Sequence, residues 1–162
     1  MIVWALSIGP VNVIRGDANP VHSPLRRDVG IAGGLMAVAH TIVGLQVHVG
    51  GQLSRYFLPP PVMHRTDKLF LAANWMGLFS TLLLVGLVTI SNNPSLRSLG
   101  LQTWKFLQRW AYPAAALAVL HGIAFQLLER RSKPAIALVA LTVLAVIALQ
   151  LKGRNIKLGN RA

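Results

Sequence analysis

Four runs free of lysine, arginine, aspartate and glutamate set the limits on what this chain can fold into: Val29 to Val49, Leu69 to Ile90, Trp110 to Leu128 and Pro134 to Leu151. Each approaches the length of about 20 apolar residues that crosses a hydrocarbon core of about 30 Å. Lipid leaves unpaired backbone groups without partners, so such runs span as helices unless they close into a barrel. The short alternating segments of a barrel are absent. The expected fold is an all-α integral membrane helical bundle with four full transmembrane helices plus a short N-terminal apolar helix. That short piece, Met1 to Ile14, cannot span, is interrupted by Gly9 and Pro10, and reads as the tail end of a helix. It lacks the basic start and small-residue cleavage site of a signal peptide.

Composition agrees. Of 162 residues 54% are hydrophobic and 12% charged, and the mean hydropathy is +0.55, well outside the balance of a soluble domain. A net charge of +12 would suggest a polyanion partner in a soluble chain. Here the cations flank the apolar runs, so membrane lipid and topology account for them and nucleic acid does not. With no cysteine, iron–sulfur clusters and thiolate-bound metals are excluded. Histidine remains as the soft nitrogen ligand.

The connectors "RGDANPVHSPLRRD", "RYFLPPPVMHRTDK" and "SNNPSLRSLGLQ" are rich in Pro, Asn, Ser and charge and read as loops. Ten cations fall on one side of the bundle: Arg15, Arg26 and Arg27, then Arg97, Lys105 and Arg109, then Lys152, Arg154, Lys157 and Arg161. Six fall on the other: Arg55, Arg65, Lys68, Arg130, Arg131 and Lys133. The excess predicts that the first side, with the C-terminus, is cytoplasmic and that the chain is a multi-pass protein of the inner (plasma) membrane. Three regions result: a partial apolar helix over 1–14, a membrane domain over 15–151 and a basic cytoplasmic tail over 152–162. Trp104, Trp110 and Tyr112 fit an interfacial belt.

Two histidines lie deep in the spans. His40 comes thirteen residues after Arg27 and His121 twelve after Arg109, which puts both about 18–20 Å beyond the last cation at a rise of about 1.5 Å per residue. They occupy matching depths on different helices. Gly33, Ala37 and Gly44 line the face of His40, and Ala114, Ala118 and Ala124 that of His121. Such relief suits a flat cofactor between helices, and paired imidazoles suit the axial positions of a haem iron. The same small residues, including Gly30 and Gly34, also let helices pack closely, and a histidine can bridge them by a hydrogen bond. Both readings stand at this point, although an ionisable side chain at bilayer depth marks a functional site by default. His48 suits the interface, His22 and His64 fall in loops, and Asn74 suits a hydrogen bond between helices.

The segments "SPLRRDVGIAGGLMAVAH" and "LRSLGLQTWKFLQRWAYPAAALAVLHGIAF" resemble the ferric reductase-like transmembrane domain family, in particular its haem-binding membrane subunits of bacterial methionine sulfoxide reductase systems. The likeness runs through Leu25, Arg26, Arg27, Gly30 and His40, and through Trp104, Lys105, Leu107, Arg109, Tyr112, Ala114, Ala115, Leu117, Ala118, Val119, Leu120 and His121. It covers about Ile8 to Leu128, with "SIGP" resembling the end of a preceding helix. The resemblance implies a six-helix membrane protein that carries b-type haem and passes electrons across the bilayer. The family has another helix and a half before this point, so against that resemblance the chain reads as either truncated or divergent at its start. In the named subunit the position of Gln108 is typically histidine, and an amide is a poor ligand for haem iron. One haem b is therefore expected, with His40 and His121 as metal ligands. Arg26, Arg27, Lys105 and Arg109 are candidate partners for its propionates or for lipid phosphates. No G-x-G-x-x-G follows a strand and no soluble domain is present, so a flavin, nicotinamide or quinone must act through a separate reductase or membrane partner. The alternative is a haem-free membrane scaffold or transporter-like protein with structural histidines.

Overall fold

The computed structural model describes residues 2–16, 24–47, 49–129 and 133–159. Their elements are α1 (Ile2–Ile14), α2 (Pro24–Val47), a 3-10 turn (Val49–Gly51), α3 (Leu53–Phe57), α4 (Arg65–Thr89), α5 (Asn93–Gln108), α6 (Ala111–Leu128) and α7 (Lys133–Gly159). Four helical segments are long and apolar enough to cross a membrane: α2, α4, α5 with α6, and the part of α7 from Ile136, while α1 is a shorter apolar helix. The protein is an all-α multi-pass membrane protein. Leu35, Met36 and Val43 on α2 and Leu138, Leu141 and Leu144 on α7 are exposed. Unbroken apolar faces of this kind are stable against lipid and would be aggregation sites in water.

The chain divides into two compact units, one formed by 1–33 with 137–162 and the other by 34–136. In the first, α1 runs through Gly9 and Pro10 without the expected interruption. Proline has no N–H, so the carbonyl of Leu6, four residues earlier, loses its helical donor. The Gln150 side chain of α7 replaces it, with Nε2 donating to the Leu6 oxygen at 2.8 Å. Gly153 admits this approach, since a Cβ there would stand 3.2 Å from Cα and Cβ of Pro10. Leu6 and Ile8 are buried. The basic segment expected over 152–162 is helical as far as Gly159, continuing α7 with Lys152, Arg154 and Lys157. Cations near a helix C-terminus complement its dipole.

In the second unit α4 and α6 pack antiparallel through small residues, with Ala73 and Ala114 fully buried. Ser80 Oγ donates to the Ala114 carbonyl at 2.9 Å, and Phe70 meets Phe125 with ring centroids 6.0 Å apart. Close approach through alanines, glycines and hydroxyls is how helices associate where lipid removes the hydrophobic drive. The part of α2 from Gly34 onward lies against α4 by the same means. Thr41 and Thr81 share a hydrogen bond of 2.9 Å, and a Cβ on Gly34 would overlap Val88. At the end of α2, Tyr56 of α3 is 1% exposed and its hydroxyl donates toward the Gly44 and Leu45 carbonyls at 3.1 and 2.9 Å. These are among the carbonyls that a helix C-terminus leaves unpaired.

The stretch "SNNPSLRSLGLQ", expected as a loop, is mostly helix α5. Asn92 caps it, its Oδ1 accepting from the Ser95 amide at 2.7 Å, and Pro94 occupies the first turn, where a missing N–H costs nothing. Gly100 takes φ 74° inside α5, a conformation that a residue with a Cβ rarely adopts. Proline and asparagine therefore mark a helix start here.

Candidate functional site

The two deep histidines meet. His40 of α2 and His121 of α6 have ring centroids 6.1 Å apart and planes inclined at 85°. Each lies seven residues before the last residue of its helix, Val47 and Leu128, which is about 10 Å along the axis. Matching depth, expected from the spacing of the cations, therefore becomes proximity.

The chain positions His121 through the backbone of α4. Its Nδ1 lies 2.8 Å from the Ala73 carbonyl oxygen. A carbonyl can only accept, so Nδ1 carries the proton and Nε2 keeps its lone pair free. In an α-helix the carbonyl of residue 73 already accepts from the amide of residue 77, and the residue-77 side chain would lean toward the turn before it. Residue 77 is glycine. A Cβ there would stand 2.7 Å from Nδ1 and 2.8 Å from Cε1 of His121, so the glycine opens the space that the imidazole fills. Phe125, one turn further along α6, packs on the ring at a centroid distance of 4.9 Å. Neither Ala73 nor Gly77 could be named from its own sequence context; the register of α4 against α6 creates the site.

His40 is held more loosely. It is exposed, and among the described residues it has no hydrogen-bond partner. Its neighbour Thr41 is fixed instead, donating to the Ala37 carbonyl at 2.9 Å and meeting Thr81.

The 6.1 Å between the ring centroids is of the scale of two imidazoles on one metal ion. Two metal–imidazole bonds of about 2 Å in line, plus a ring radius of about 1 Å on each side, separate two centroids by about 6 Å. Among the described residues no three His, Asp or Glu side chains converge, so the pair contributes two imidazoles and no third protein ligand among them. A metalloporphyrin brings most of its own ligands, and His40 and His121 are the residues that would hold it here. The donor set, the freed Nε2 and the cradle at Gly77 agree with that group.

Arg26 and Arg27 are in the first unit: Arg26 is half-buried with its guanidinium against Gly9, where a Cβ would stand 3.4 Å from it, and Arg27 faces Asp28 at 3.5 Å on the surface. Lys105 and Arg109 are exposed on α5 and at its junction with α6. Gln108 is engaged there, its Nε2 donating to Ser91 Oγ at 3.2 Å, while that hydroxyl donates to the Leu87 carbonyl at 2.6 Å. Trp104, one turn before Gln108, donates from Nε1 to the Ile90 carbonyl at 2.9 Å. Together they cap the C-terminal end of α4, a role the interfacial reading of Trp104 did not include. His64 is exposed at the start of α4, its amide donating to Asp67 Oδ2 at 2.9 Å. Asn74, expected to join helices, is buried with no partner for Nδ2 among the described residues. His22, His48, Arg130, Arg131 and Arg161 lie outside the described residues. No protein-family model, curated protein or solved structure matches the chain.

Proposed function

We propose that the protein is a b-type haem-binding membrane subunit that carries electrons across the bilayer, from a separate reductase or a quinol to an acceptor outside this chain. The observation that carries this reading is the His40–His121 pair at 6.1 Å with the Nδ1 of His121 committed to the Ala73 carbonyl. The resemblance to ferric reductase-like domains points the same way. Bound between these imidazoles, haem would supply a one-electron redox centre. His40 and His121 would hold its iron from α2 and α6, and Gly77 and Ala73 would fix the angle and tautomer of His121.

Arg26, Arg27, Lys105 and Arg109 are assigned to lipid phosphates. The helical rise places Arg109 about 18 Å and Arg27 about 20 Å from the histidine of its own span. That exceeds the half-width of a porphyrin plus an extended arginine. Their number on one side supports an inner-membrane protein with its C-terminus in the cytoplasm.

The rival reading, a haem-free scaffold with structural histidines, draws on the same His121–Ala73 bond, which by itself joins two helices. It leaves His40 with a ring contact to His121 and no hydrogen bond among the described residues. A reduced-minus-oxidised optical spectrum of the purified protein decides between them. Sharp low-spin b-type bands, weakened by His40→Ala and by His121→Ala, support the haem reading; a featureless spectrum after expression with ample haem supports the scaffold.

A further inference from the structure

The two imidazoles are neighbours, with planes inclined at 85°, but they are not equivalent. His121 is secured three ways: by the 2.8 Å bond to the Ala73 carbonyl, by the Gly77 recess its ring fills, and by Phe125 at 4.9 Å. His40 has none of these supports among the described residues. It is exposed, its ring contact is with His121 itself, and the residues one turn to either side are Met36, which points outward at 63% exposure, and Gly44, which has no side chain. Releasing a metal from His121 means moving the ring against a hydrogen bond and packed neighbours. Releasing it from His40 requires only a rotation about side-chain bonds into open space.

We infer that His121 is the permanent ligand and His40 an exchangeable one, so that the His40 side is a binding site for small uncharged lone-pair donors of the size of carbon monoxide. The inference rests on the haem reading of the pair. In the exchange only a coordinate bond would break: the His40 side chain would swing away neutral with its own lone pair, and the incoming donor would supply another. No proton or electron changes hands. Uncharged ligands are favoured because the approach along α2 is apolar, with Leu35, Ile42 and Val43 exposed, and an anion loses its hydration there without a partner. Supporting partners of a metal-bound histidine typically change metal affinity about 10–100-fold. A preference of that size for keeping His121 over His40 is the expected asymmetry.

The test uses the full chain, purified with its haem and reduced with dithionite, in buffer saturated with carbon monoxide. Conversion of the low-spin spectrum to a carbonyl form is expected, and that form should match the carbonyl spectrum of His40→Ala, in which His121 is the remaining protein ligand. His40→Ala should retain haem through gel filtration in a high-spin form and return to low spin on adding imidazole. His121→Ala should retain at least 10-fold less haem affinity than His40→Ala. A reduced wild-type spectrum indifferent to carbon monoxide overturns the inference and leaves the haem reading intact. So does equal loss of haem from the two variants. A wild-type protein that never takes up haem overturns the reading itself, and the inference falls with it.

Discussion

Replacing Gly77 by alanine tests the cradle directly. The added Cβ would stand 2.7 Å from Nδ1, 2.8 Å from Cε1 and 3.3 Å from Cγ of His121, against the 3.4 Å at which ordinary contact begins. The ring must retreat by 3.4 minus 2.7, about 0.7 Å, and the hydrogen bond to Ala73 then stretches from 2.8 Å to about 3.5 Å, the edge of what counts as a bond. Losing it costs about 0.5–1.5 kcal/mol, and residual crowding adds about 1–3 kcal/mol. Alanine returns up to about 1 kcal/mol through its better helix propensity. The net is a destabilisation of about 0.5–4.5 kcal/mol, together with a misaligned Nε2 and a drop in haem affinity of about 10–100-fold. Gly86→Ala on the same helix is the control, since nothing lies within 4 Å of a Cβ there, and it should keep its haem and match or exceed wild-type stability. The assay is haem per chain after gel filtration, the midpoint potential of what remains, and the thermal midpoint of all three proteins. If Gly77→Ala matches the wild type in haem content and potential, the carbonyl and the glycine do not position the imidazole and the site argument fails.

Haem quantified as pyridine haemochrome against protein should give one per chain. A reproducible ratio near two would refute the single site, while a second haem gained only by Gln108→His would identify that amide as what closes the other position. Reporter fusions after Leu96 and at the C-terminus should report cytoplasm and those near Pro60 and Ser132 the opposite side; the reverse pattern overturns the charge argument. His22→Ala and His64→Ala should leave the optical spectrum unchanged, and a spectral shift in either would mean that a ligand has been misassigned. Tyr56→Phe removes the donor to the Gly44 and Leu45 carbonyls and should lower stability by about 1 kcal/mol in a thermal melt without loss of haem; unchanged stability would mean that other donors already satisfy the end of α2.

The four spans were legible because hydrocarbon imposes one rule on every residue of a span, and composition alone reveals where it applies. The matched depth of His40 and His121 was legible for a related reason: helical rise is constant, and the cations mark a common starting plane. Where local rules compete, the reading was less complete. Asn92 and Pro94 signal a turn and equally a helix cap followed by a first-turn proline, and only a partner for the helix they start separates the two. That partner is the end of α4, whose Ile90 carbonyl and Ser91 hydroxyl accept from Trp104 and Gln108. Pro10 poses the same problem in the first unit. Its cost to α1 is local, but the Gln150 side chain that offsets it lies 140 residues further along the chain.

The supports of His121 were the least legible part of the site, and the reason is physical. A backbone carbonyl has no letter in the sequence, so Ala73 reads as one more small apolar residue. Gly77 reads as a weak point in a helix. Their meaning depends on three conditions holding together: α4 must run antiparallel to α6, the register must bring residue 73 opposite residue 121, and residue 77 must lack a Cβ so that an imidazole can reach the carbonyl beneath it. The first two are products of packing over the whole unit, fixed by contacts such as Ser80 with Ala114 and Phe70 with Phe125. They place the same register at several points along the interface, so shifting α6 by one residue would separate His121 from its acceptor and Ser80 from its own. The geometry of the candidate site and the packing of the bundle are thus one constraint, and a substitution that loosens the α4–α6 interface at Ser80 should disturb the imidazole two turns away.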